Sequence, residues 1–247
     1  MIHYHGTPIG GTRVDVARFL TGRHALVSFY RPDDIGVVLD CCQSFCLDNG
    51  AFSHWKAGKG IIDVESYISW VRKYNKHPNF DWCIIPDKID GTEADNKRMV
   101  AGWLSTARGI DGVPVFHLHE SLEYLEFLMQ NFKRISLGSS GQWKTPGTEA
   151  WWARIDEIMN VLCDSDGVPK CKIHGLRMLN PKIFTQLPLS SADSTNAAVN
   201  CGSLKRFGMY TPPTASQRAE VIAARIERYN SSSVYVSASQ SDMFDKL

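Results

Sequence analysis

The chain has 247 residues, 43% hydrophobic and 21% charged, enough to bury a full-sized core as one large α/β domain or two small ones. Its net charge is only +1, so any affinity for nucleic acid must come from local basic patches and not from a global field. No apolar run approaches a membrane span, the opening residues lack the pattern of a secretory leader, and seven scattered cysteines suit reduced thiols in a cytosolic compartment better than a disulfide scaffold.

Short β-rich runs alternate along the chain with longer amphipathic ones. "IHYHG" (2–6) predicts the first strand. The following "HGTPIGGT" (5–12) reads either as backbone N–H groups for a phosphate or as a tight turn with Thr12 capping a helix. "HALVSFY" (24–30) and "SFCLDNG" (44–50) are the next strands. "DVESYISWVRKY" (63–74) then places Val64, Tyr67, Ile68 and Val71 on one helical face. Strand "DWCIIPD" (81–87) precedes helix "EADNKRMVAGWLSTA" (93–107), and strand "VPVFHLH" (113–119) precedes helix "SLEYLEFLMQNF" (121–132). Strand "RISLGSS" (134–140) and helix "TEAWWARIDEIMNVL" (148–162) follow, and the strands "CKIHGLRM" (171–178) and "LSSADST" (189–195) complete the series. Several of these helices open near a Ser or Thr suited to capping.

Eight strands with helical crossovers predict a (β/α)8 TIM-like barrel as a single α/β domain over residues 1–240, with 241–247 as a frayed serine-rich tail. A doubly wound open sheet is the alternative, but no GxGxxG follows the first strand. Polar side chains favour the barrel. Asp48, Asp87, His119, Ser139 with Ser140, His174 and Asp193 all fall toward the C-terminal ends of their strands, which in a barrel converge on one mouth. Alternation further predicts that Cys83, Ile85 and Asp87 share one face, as do Val115, His117 and His119.

Three aspartates and the imidazoles of His117, His119 and His174 at one mouth suit work on a glycosidic bond. One carboxylate can attack the sugar while another moves a proton, and a third can accept hydrogen bonds from a donor-rich substrate edge. Helix capping is the alternative for any single aspartate, and the natural reading for Asp15 and Asp90.

The ordered set "LDNGAFS", "IIPDKID", "VFHLH", "LGSSG", "IHGLRM" and "ADSTN" resembles the strand-end motifs of tRNA-guanine transglycosylases. The resemblance is closer to their DNA-acting relatives, the short phage-type DpdA enzymes, which exchange guanine in DNA for a 7-deazaguanine. It covers roughly residues 40–200, and "HGL" followed 18 residues after its glycine by "DST" is the most specific pair. It implies that Asp193 is the nucleophile at C1′ and that Asp48 transfers protons to the departing and from the incoming base. It implies further that Asp87 reads the guanine N1–H and exocyclic amine and that His119 stands against the base carbonyl. Gly138 and Ser139 would lie along the base, and His174 and Gly175 would line the pocket floor.

The implied partners are DNA and a free 7-deazaguanine base, in the host cytoplasm if the chain is phage-encoded. Exchange on tRNA, or a non-catalytic nucleic-acid-binding barrel, are the alternatives. The tRNA enzymes carry a C-x-C-x2-C zinc motif that nothing here matches. No cofactor is expected, with zinc on Cys163, Cys171, His174 and Cys201 as the alternative and buried thiols as the plain reading. Loops after the strands offer cations beside aromatics for phosphate contact and base stacking: Trp55, Lys56 and Lys59, then Trp143 and Lys144, then Lys205 and Arg206.

Overall fold

A computed structural model describes residues 1–237, so the tail expected at 241–247 lies outside the described residues. Nine strands, all parallel, form one sheet: β1 (Ile2–Gly6), β2 (His24–Ser28), β3 (Ser44–Asp48), β4 (Phe80–Ile84), β5 (Gly112–Val113), β6 (Val115–His117), β7 (Arg134–Gly138), β8 (Lys172–Gly175) and β9 (Ser191–Ser194). Their order is β5-β4-β3-β2-β1-β9-β8-β7-β6. The two edges are pieces of one extended segment, separated only by Pro114. β5 pairs with β4, and β6 pairs with β7. Proline has no N–H to donate, yet its carbonyl still accepts from Ser136 N at 2.9 Å. Counting β5 and β6 as one strand gives the eight-stranded, single-domain barrel that the alternating pattern predicts.

Ten helices accompany the strands: α1 (Arg13–Leu20), α2 (Ile35–Cys41), α3 (Ala51–Lys56), α4 (Val64–Arg72), α5 (Glu93–Thr106), α6 (Leu122–Asn131), α7 (Glu149–Leu162), α8 (Pro181–Phe184), α9 (Asn196–Asn200) and α10 (Ala215–Glu227). Side chains of Thr12, Asp63, Thr92, Ser121, Thr148 and Thr214 each accept a first-turn N–H. Thr12 and Asp15 form a reciprocal capping box, so "HGTPIGGT" is the lead-in to a helix. None of the helices among the described residues is long and apolar enough to cross a membrane. All seven cysteines are unpaired.

Period-two alternation sorts the strand residues into two cores. Ala25, Val27, Phe45, Leu47, Ile135, Leu137 and Ile173 join the helices in the larger one. Tyr4, Leu26, Cys46, Trp82, Ile84, Val113 and Val115 form a smaller one inside the barrel. A bulge breaks the alternation in β4: Phe45 pairs with Phe80, but Cys46 pairs with Trp82. Asp81 is the extra residue, and its carboxylate turns into the barrel to accept from the Tyr4 hydroxyl at 2.6 Å and from Ser44.

The same strand corrects one expectation. Cys83 and Ile85 face the helices, whereas Asp87 faces the mouth. β4 ends at Ile84, and the Ile85–Pro86 step redirects the chain, so strand alternation does not carry through to Asp87.

Packing of helix α5 on β5 leaves no slack at Gly112. A methyl group there would stand 2.3 Å from Trp103 Nε1 and 2.9 Å from Ile85 Cγ1, and both neighbours are buried. Gly112→Ala is therefore expected to destabilise the protein by about 1–3 kcal/mol through overpacking, read as a lower urea midpoint. An unchanged midpoint would contradict tight packing of Trp103 on this strand.

Candidate active site

The "LDNG" segment that ends β3 shows how a carboxylate is held at the mouth. Asp48 Oδ2 accepts from Ser28 Oγ at 2.8 Å and from Gly50 N at 3.0 Å. Gly50 supplies that N–H from a left-handed conformation (φ +78°), and a side chain there would strike the Tyr30 backbone. Oδ1 of Asp48 accepts no hydrogen bond from the described residues. Burial raises the Asp48 pKa, with the charges of Asp193 and Asp87 adding to it against the Ser28 and Gly50 hydrogen bonds. The result is about 7. The three carboxyl groups thus share one electrostatic neighbourhood.

Asp193 comes from β9, opposite Tyr4 of β1 in the register. Its Oδ1 accepts from Arg177 N at 2.9 Å and lies 3.3 Å from His174 Nε2, in poor alignment for a hydrogen bond. Oδ2 accepts none from the described residues. Arg177 reaches this position with φ +58°, a conformation that costs a non-glycine residue about 1–2 kcal/mol. Its guanidinium lies 4.1 Å over the Phe52 ring, and Phe52 in turn packs 5.7 Å from Trp55.

His174 lies one layer below the mouth, fully buried, with Nδ1 2.9 Å from Ser191 Oγ and its ring edge-on to Trp82 at 4.7 Å. Burial lowers its pKa more than Asp193 raises it, so the ring is neutral at pH 7. In the tautomer whose Nδ1 accepts from Ser191, the proton sits on Nε2, on the side of Asp193 Oδ1. That contact leaves the opposite oxygen of Asp193 open.

Asp87 is buried and held from two sides. Asn49 Nδ2 donates to Oδ1 at 2.7 Å, and His117 Nε2 stands 2.9 Å from Oδ2 in an ion-pair contact. Asn49 also binds the Ile85 carbonyl at 2.9 Å, fixing the turn that carries Asp87. Burial works against the His117 imidazolium, but Asp87 beside it and Glu120 behind it outweigh that and raise its pKa. His119 is exposed and stacks on His117 with centroids 5.6 Å apart. Both its ring nitrogens are engaged, by Ser140 Oγ at 2.8 Å and the Gly91 carbonyl at 3.2 Å.

Gly138 faces inward, where a side chain would stand 3.4 Å from His117 Nδ1. Ser139 accepts from Trp151 Nε1 at 3.0 Å and so anchors α7, while Ser140 is the serine that meets His119. Gly175 points outward, making room for Leu189 and Met178, and does not line the floor. Trp55, Lys56 and Lys59 are exposed on and after α3, with Lys59 Nζ 5.1 Å over the Tyr30 ring. Trp143 is half-buried under the Arg154 guanidinium at 5.2 Å, and Lys144 beside it is exposed. Lys205 and Arg206 are exposed on a short 3-10 turn, Leu204–Phe207. Cys163, Cys171, His174 and Cys201 are not gathered into a group able to hold a metal ion among the described residues.

Reading of the sequence missed Asn49, His117's pairing with Asp87, Ser191 and Arg177. A signal existed for Asn49, which follows a strand-end aspartate. None existed for Arg177, whose role rests on its backbone. No protein-family model, curated protein or solved structure matches the chain.

The raised pKa of Asp48 has a consequence for stability. An unfolded aspartate titrates at about 3.9, so between there and about pH 7 the folded state alone holds the proton, and stability falls as pH rises. Asp48→Asn keeps an acceptor for Ser28 but removes this titration. It should gain stability relative to the wild type from about pH 4 to about pH 7, with a constant difference above that. Urea midpoints at a series of pH values check this; a pH-independent difference would mean that Asp48 titrates as an ordinary carboxylate.

Proposed function

We propose that the chain is a base-exchange transglycosylase that replaces guanine in DNA with a 7-deazaguanine through a glycosyl-aspartate intermediate. The observation that carries this reading is the division of labour among three carboxyl groups at one barrel mouth. Asp193 has an oxygen that accepts no hydrogen bond from the described residues, Asp48 has a pKa of about 7, and Asp87 is held in place by neighbours.

In this reading Asp193 Oδ2 attacks C1′ of a deoxyguanosine nucleotide drawn out of its stack, and the C1′–N9 bond breaks. The proton for the departing base comes from the Asp48 carboxyl. A pKa near 7 leaves that group able both to give a proton and to take one back, as an exchange reaction requires. The incoming base then loses its N9 proton to Asp48, its nitrogen attacks C1′, and the bond to Asp193 breaks. The sugar keeps its configuration through two displacements.

Asp87 supports base selection. Asn49 and His117 each occupy one side of the carboxylate, which has lone pairs left for the N1–H and 2-amino group of a guanine-like base. Adenine offers an acceptor at N1 and no 2-amino group, so it would leave Asp87 unsatisfied. His117, whose pKa is raised by Asp87 and Glu120, turns Nδ1 toward Gly138 and in its protonated form offers a donor to a base acceptor. His119, with both nitrogens engaged, is the weaker candidate for that contact. Exposed Trp55, Lys56, Lys59, Lys144, Lys205 and Arg206 supply cations and a stacking surface to the substrate strand.

Incubating the protein with a DNA oligonucleotide and a free 7-deazaguanine, then digesting to nucleosides for mass spectrometry, tests this directly. The expected result is the 7-deazaguanine deoxynucleoside with equimolar guanine release, slowed about 100- to 10,000-fold in Asp48→Asn. Exchange on an RNA oligonucleotide but not on DNA would move the assignment to tRNA. Guanine release without incorporation would make the protein a hydrolase.

A further inference from the structure

Residues 201–213, between α9 and α10, project from the barrel as a supported protrusion. Both feet are fastened by one side chain on α10: Arg218 Nε donates to Cys201 O at 2.5 Å, and Nη1 donates to Pro212 O at 2.8 Å and Pro213 O at 2.9 Å. The middle is pinned by Phe207, which is buried in the larger core. Gly208, at φ +64°, then turns the chain outward. Beyond it stand Met209 and Tyr210, each 87% exposed, whereas no other large apolar residue described exceeds 71%.

The protrusion belongs to the mouth. It begins eight residues after Asp193. Its far foot leads into α10, whose Ser216 donates to Asp15 Oδ1 at 3.1 Å in the first turn of α1, the turn that follows the C-terminal end of β1. Lys205 and Arg206 lie beside the tip, and no acidic residue occurs between Asp193 and Glu220. An apolar pair held in water on a clamped, cationic support needs a partner that is both anionic and able to receive it. Stacked bases between phosphate strands meet that description, since apolar side chains entering a base step hold it open.

We propose that Met209 and Tyr210 form a wedge that enters the stack of double-stranded DNA and occupies the space left by the extruded nucleotide, with Lys205 and Arg206 on the flanking phosphates. This rests on the transglycosylase reading, and it specifies duplex DNA as the substrate form. The wedge converts the unfavourable opening of a base pair into a contact, which a single strand does not require.

The test separates base opening from chemistry. A duplex carrying 2-aminopurine next to the target guanine brightens when its neighbour leaves the stack. Wild-type protein is expected to raise this fluorescence, and Met209→Ala with Tyr210→Ala to weaken the response by about tenfold in protein concentration, the scale of losing one stacked contact. Tyr210→Phe, which keeps the ring, should retain it. Both residues are exposed, and an unchanged thermal melt confirms folding. Brightening that survives the double substitution, or no brightening with the wild type, overturns the wedge whatever the exchange activity. Brightening without base exchange would leave the wedge standing and remove the transglycosylase reading. A concentration-dependent dimer abolished by the substitution, with the duplex silent, would make the tip a contact between two copies and also overturn the proposal.

Discussion

Three carboxyl groups brought to one end of a closed ring of parallel strands repel one another, and the neighbouring residues are arranged around that repulsion. Closure at Pro114 sends every strand to the same mouth, so Asp48 on β3 and Asp193 on β9 cannot avoid each other's field. Each carboxyl group is stabilised differently. Asp87 gains a histidine and an amide, Asp193 gains a backbone N–H, and Asp48 keeps its proton up to about pH 7. Burial first, and the neighbouring charges after it, therefore make the three carboxyl groups unequal, and unequal carboxyl groups are what acid–base and nucleophilic roles require.

This arrangement draws on strain and on buried polar contacts elsewhere. Arg177 holds a left-handed backbone to point its N–H at Asp193, and Gly50 does the same for Asp48 without a steric penalty. Below the mouth the barrel interior is itself polar: Asp81 takes the Tyr4 and Ser44 hydroxyls, and Ser191 shares a hydrogen bond with His174 Nδ1. The candidate site is thus held from beneath by side chains as well as from the side by the strands, the support that the proposed pair of displacement steps would need.

Much of this was legible in the sequence. Short β-rich runs between amphipathic helices locate every strand among the described residues; Asp48 is conspicuous because it interrupts the apolar run Phe45–Leu47, and Asp193 because it falls at the end of the last run, "LSSADST". Asp87 is legible only by its place after a strand, since strand alternation does not reach beyond Pro86 and it is Asn49 that aims the carboxylate. The bulge at Asp81 left no trace, because an inserted residue looks the same as any other until the partner strand is known. Gly175 and Ser139 lie among the expected motifs but point toward the helices, a matter of a single residue of register. Loop aromatics were the least legible: Trp55 is exposed as a contact residue would be, while Trp143 is half-buried beneath Arg154.

The most direct measurement concerns the bond to Asp193. Protein incubated with guanine-containing DNA and no incoming base, then denatured and digested, should yield an Asp193-containing peptide carrying the oligonucleotide through its sugar. The adduct should disappear when a 7-deazaguanine is added before denaturation, and Asp193→Asn should form none. Guanine released with no adduct, or an adduct carried by Asp48 instead, would contradict the assignment of Asp193 as the nucleophile.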